Sequence, residues 1–63
     1  MPNITVDGPR IDDMDKKREM VRTITDAAVK AYGLPKQSIV VLIKENKPEN
    51  DAVAGELLTD RSP

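Results

Sequence analysis

The run Ile39-Val40-Val41-Leu42-Ile43 is apolar at every position, inside the segment Ser38 to Glu45, in a chain of only 63 residues. Side chains alternate between the two faces of a strand, so an unbroken apolar run predicts burial on both faces. The chain contains one segment with helical periodicity, and one helix covers one face. The second face must meet something else, and the remaining residues hold no element of that size. A domain this small buries only about 60% of the surface its unfolded chain exposes. Small folds usually compensate with disulfides, a metal or partners. There is no cysteine and no histidine, which removes disulfides and the commonest metal ligand. The apolar run therefore predicts self-association.

The other elements follow from local pattern. Residues Asn3 to Asp7 alternate, with Ile4 and Val6 on one face, and Gly8-Pro9 is expected to stop that strand. Asp12-Asp13-Met14-Asp15 opens a helix, since acidic groups suit its first turn. Met20, Val21, Ile24, Ala27, Ala28 and Ala31 form its apolar stripe. The run Lys16-Lys17-Arg18 reads as a solvated face, and Asp26 with Lys30 as an i,i+4 pair. Gly33 and Pro35 end the helix. After Ser38 to Glu45 comes a polar turn to Asp51. A tail around Gly55 then forms a weak hairpin or an arm, and residues 59–63 are expected to fray.

Strand, helix, strand and tail make an α+β chain of one domain, residues 1–63. A helix of about 20 residues returns the chain across about 30 Å, which suits a parallel, right-handed β-α-β crossover. Pairing with a copy gives a four-stranded sheet covered by two helices.

Composition excludes several function classes. The net charge is −1 and the only aromatic residue is one tyrosine, which leaves no basic stacking surface for nucleic acid. No apolar run reaches about 18 residues, the length of a membrane span, and the first residues are too polar for a secretory signal. A soluble cytoplasmic protein is expected, with neither nucleic acid nor membrane as partner.

The residue that can carry chemistry is Pro2. Within a chain, proline nitrogen is a tertiary amide without a proton. If Met1 is removed, it becomes a secondary amine. An α-amino group titrates near about 7.7–8.0, and burial or nearby cations lower that value. Such a nitrogen is a base matched to neutral pH.

Met1-Pro2, the helix ending at Tyr32-Gly33, the strand Ser38 to Glu45 and the sequence Val53-Ala54-Gly55-Glu56-Leu57 together resemble the 4-oxalocrotonate tautomerase family, the short-subunit members of the tautomerase superfamily. The resemblance spans nearly the whole chain without a gap. It implies a β-α-β subunit with a C-terminal hairpin, loss of Met1, and Pro2 as general base. The reaction it implies moves a proton between positions of an enol or 2-oxo acid. It also implies a homohexamer, a trimer of dimers with sites between subunits, and no metal or organic cofactor.

The chain departs from the family pattern at three positions. The arginine between strand one and the helix falls at Asp12, with Arg10 two residues earlier. The arginine of strand two falls at Val40, and the aromatic residue of the hairpin turn at Asp51. These changes weigh against a dicarboxylate substrate. Arg10 is the first candidate for a substrate or enolate clamp and Lys44 the second. Tyr32 is read as packing at the helix end. Two rival readings stand beside the tautomerase. One is an N-terminal-proline hydratase, dehalogenase or decarboxylase acting on unsaturated acids. The other is a non-catalytic oligomeric scaffold.

Overall fold

The structure, a computed structural model, describes residues 1–61. Strand β1 is Asn3–Pro9, helix α1 is Met14–Tyr32, and strand β2 is Val40–Asn46. A short hairpin follows, β3 at Ala52–Val53 and β4 at Glu56–Leu57. Single 3-10 turns occupy Lys36–Ser38, Pro48–Asn50 and Leu58–Asp60. Ser62 and Pro63, the end of the tail expected to fray, lie outside the described residues.

β1 and β2 pair in parallel, with Asn3 opposite Val40 and Pro9 opposite Asn46. The β-α-β arrangement expected from the element order is therefore formed. The register places Ile4 beside Val41 and Val6 beside Ile43, so the apolar side chains of the two strands share one face. Glu45 has the same parity and meets Lys17 of α1. This is the face that the helix covers. Leu42 points the other way and is 53% exposed.

Strand ends differ from the expectation in two places. β1 continues through Gly8-Pro9. Proline has no N–H to give, but it sits at the last ladder position of an edge strand, where none is required. β2 starts at Val40 rather than Ser38 because the chain after Pro35 winds into a 3-10 turn. There Ser38 N–H donates to Pro35 C=O at 2.9 Å and Ile39 N–H to Lys36 C=O at 3.1 Å.

Helix α1 begins where the acidic cluster predicts. Asp13 is the N-cap, its carboxylate accepting from Asp15 N–H at 2.9 Å and Lys16 N–H at 3.2 Å. It ends at Gly33, which takes the left-handed φ of 67° and donates its N–H to Val29 C=O at 2.9 Å. The inward stripe is rotated from the expected one. Ala27 and Ala31 are exposed, whereas Lys17 joins Met20, Val21 and Ile24 on the inner side. Asp26 and Lys30 form no ion pair; the helix instead pairs Arg18 with Asp15 at 2.8 Å.

The molecule is an open plate measuring 44 × 24 × 13 Å. Among the described residues only Ala28 is enclosed, at 7% exposure. The chain exposes 5133 Å², whereas a folded monomer of 7.0 kDa exposes about 4,000 Å². Its radius of gyration is 15.1 Å, against about 11 Å for a compact domain of this length. The core is thus one-sided: α1 against one face of the sheet, with the other face bare.

Candidate active site

Pro2 lies immediately before β1, at the end of the sheet where both strands begin. Its carbonyl accepts the N–H of Val40 at 3.0 Å, so the ladder reaches one residue past the strand. The residue is half-buried. Met1 is 80% exposed and held by little, its carbonyl accepting only a 3.4 Å hydrogen bond from Asn3 Nδ2. The carbonyl side of Pro2 is fixed by the sheet, whereas its nitrogen, outside its own ring, is bonded only to the exposed Met1.

The cationic candidates lie elsewhere. Arg10 follows β1 at the opposite end, roughly 25 Å along the strand from Pro2. Its guanidinium pairs with Asp12 at 3.0 Å, both side chains being well exposed at 79% and 86%. Lys44 is on the bare face beside Asp7 and about 13 Å along β2 from Val40. Neither reaches Pro2 within one chain. Tyr32 is 61% exposed. Asp51 is half-buried before the hairpin, its C=O accepting from Leu58 N–H at 2.8 Å.

A cleft of about 600 Å³ is lined by Arg10, Met14, Lys17, Glu45, Lys47 and Pro48. It is at the Arg10 end of the sheet, away from Pro2. Glu45 organises this end. Its Oε2 accepts the backbone N–H of Ile11 at 2.7 Å and pairs with Lys17 Nζ at 3.0 Å. The Ile11 N–H, and after it the Lys17 ammonium, hold the Glu45 carboxyl below its ordinary value of 4.5. The sequence reading missed this pair because it placed Lys17 on the solvated face. The signal was present: Lys17 precedes Met20 by three residues and Val21 by four, the spacing of one helical face. The described residues hold no cluster of carboxylates suited to a metal ion, and no described helix is long and apolar enough to cross a membrane.

Comparison with known proteins places this geometry. Residues 2–61 match the Tautomerase family, described as tautomerase enzyme. A curated relative, 2-hydroxymuconate tautomerase of Bacillus subtilis (strain 168), is 35% identical over 60 residues, covering 95% of this chain and 97% of that protein. Among solved structures, DmpI from Archaeoglobus fulgidus superposes with a TM-score of 0.84 at 41% identity, over 94% of this chain and 100% of its own. A heterohexamer 4-oxalocrotonate tautomerase from Chloroflexus aurantiacus J-10-fl has the same fold, with a TM-score of 0.84 at 22% identity over 95% of this chain and 97% of its own. A family match that starts at Pro2 and runs to Arg61, on a parallel β-α-β unit with a C-terminal hairpin, makes this chain a member of the Tautomerase family, an isomerase with the 4-oxalocrotonate tautomerase fold.

Proposed function

We propose that the chain is a keto–enol tautomerase whose general base is Pro2, freed by removal of Met1. The observation that carries this reading is the hydrogen bond from Val40 N–H to Pro2 C=O at 3.0 Å. It anchors the first residue of the mature chain to the sheet on its carbonyl side and leaves the ring nitrogen as the free end. The proline ring restricts the direction of the lone pair. A terminal secondary amine can both take up and return a proton, which is what a general base needs.

The reaction balances as an internal transfer. The nitrogen takes the proton of an enol hydroxyl, the electron pair moves into the conjugated system, and the same proton returns to a carbon. For a 2-oxo acid the direction reverses. Charge that builds on oxygen needs a cation or donor placed beside it. Arg10 of a neighbouring copy binds the substrate's carboxylate, since its own Pro2 is roughly 25 Å away. Its pairing with Asp12 is exposed and weak, so the guanidinium can exchange partners.

An assembly of copies follows from the same reading. The bare sheet face and the surface of 5133 Å² support a homo-oligomer, proposed to be a hexamer built as a trimer of dimers. The Bacillus subtilis relative is named for 2-hydroxymuconate. With Val40 and Asp51 at the positions expected for a cation and an aromatic ring, the substrate proposed for this chain is a monoacid 2-hydroxy-2,4-dienoate or 2-oxo acid. The deciding experiment pairs intact-mass measurement with an assay of that dienol. Active protein should lack the mass of Met1, and turnover should collapse in Pro2→Ala. Full turnover by protein that retains Met1 defeats the proposal.

A further inference from the structure

We propose that Glu45 is a positioning residue that fixes the Arg10 loop for substrate binding, an inference that rests on the reading of Arg10 given above. The loop between Pro9 and Met14 carries both Arg10 and Asp12. Its attachment to the sheet is the hydrogen bond from Ile11 N–H to Glu45 Oε2, 2.7 Å long and spanning 34 positions of sequence. The same oxygen binds Lys17 Nζ at 3.0 Å. One carboxylate thus ties together the end of β2, the loop and the first turns of α1.

This pair differs from the others in shelter and in reach. The Lys17 and Glu45 side chains are 19% and 30% exposed. Arg10–Asp12, Arg18–Asp15 and Lys47–Glu49 all have both partners more than half exposed and are local in sequence. Exposed local pairs contribute little to order, whereas a sheltered, charge-assisted bond to a backbone N–H fixes a chain segment. Ile11 is the next residue after Arg10, so holding the Ile11 amide sets where the Arg10 Cα stands. The guanidinium itself is held only by its exposed pair with Asp12, which an incoming anion can replace. A fixed backbone with a mobile cationic tip suits the binding of a substrate carboxylate beside Pro2 of an adjacent copy.

A double-mutant cycle on the assembled enzyme, assayed with a monoacid 2-hydroxy-2,4-dienoate, tests the inference. Glu45→Ala should raise KM about tenfold with kcat within about twofold, because a substrate-binding group is displaced rather than the base. Glu45→Gln, which keeps an acceptor for Ile11, should recover most of that loss. Arg10→Ala should raise KM as well, and Glu45→Ala in the Arg10→Ala background should add nothing further. Additive effects of the two substitutions would show that Glu45 does not act through Arg10 and would overturn the inference while leaving the Arg10 clamp standing. A wild-type KM in Arg10→Ala would instead overturn the clamp, and the positioning role with it. Should Glu45→Ala fail to assemble, Glu45→Asp takes its place, keeping the charge for Lys17 while drawing the carboxylate back from Ile11, with the same two readings.

Discussion

The Val40 amide donates to the Pro2 carbonyl at 3.0 Å, and this bond separates the two ends of one residue. The carbonyl of Pro2 belongs to the sheet, whereas its nitrogen belongs to whatever precedes it. Removing Met1 changes the second without touching the first.

Pro2→Ala is therefore expected to lower kcat by about 10²-fold or more, the usual contribution of a positioned base. The alanine carbonyl still accepts from Val40, so the thermal midpoint and oligomer size should stay those of wild type. Parallel turnover and circular dichroism measurements check this. Unchanged kcat would remove Pro2 from the chemistry.

The Glu45 carboxyl, held by the Ile11 amide and then by the Lys17 ammonium, gives stability a dependence on pH. The carboxyl of Glu45 is held below 4.5 in the folded chain, so the folded form favours its ionised state. The stabilisation is complete above the unfolded value and fades as pH falls through the lower, folded value. Denaturant titrations should find Glu45→Gln less stable than wild type at pH 7, with the gap closing in acid. A gap that widens in acid has the wrong sign for this account.

The hairpin turn holds a local conflict. Ala54 has φ of 54° and Gly55 φ of 80°, the pair of positive values that a two-residue type I′ turn requires. An L-residue with a Cβ in this region is disfavoured by about 1–2 kcal/mol. Ala54→Gly should stabilise the protein by about 0.5 kcal/mol, a fraction of that strain because glycine also loosens the unfolded chain. A higher urea midpoint at unchanged slope is the expected result, and a lower one counts against the assignment of strain.

Leu42 tests the bare face. At 53% exposure it touches little within its own chain, so Leu42→Asp costs little packing in an isolated subunit. In an assembly that buries this face, the same change places an unpaired charge among apolar groups. Sedimentation should then show smaller species and the dienol assay should lose activity with them. Wild-type sedimentation in the variant would show that the face is not an interface.

Much of this fold was legible in the chain because the information was local. Asp13 and Gly33 mark the helix ends through the hydrogen-bonding needs of unpaired backbone groups, which neighbouring residues satisfy. Alternation at Ile4 and Val6 and the run Ile39 to Ile43 fixed the strands and foretold an uncovered face. Pro2 could be proposed from the chain alone because the chemistry of its nitrogen depends only on what precedes it.

What the amino-acid order did not disclose was phase and distance. Whether Lys17 faces solvent or sheet depends on a rotation of one helix by part of a turn, and packing against β2 set that rotation through Glu45, far away in sequence. Arg10 and Pro2 are near neighbours along the chain, yet an extended strand of seven residues carries them to opposite ends of the sheet. An extended backbone turns closeness in sequence into separation in space, and only the folded arrangement shows that Pro2 and Arg10 stand at opposite ends of one chain's sheet.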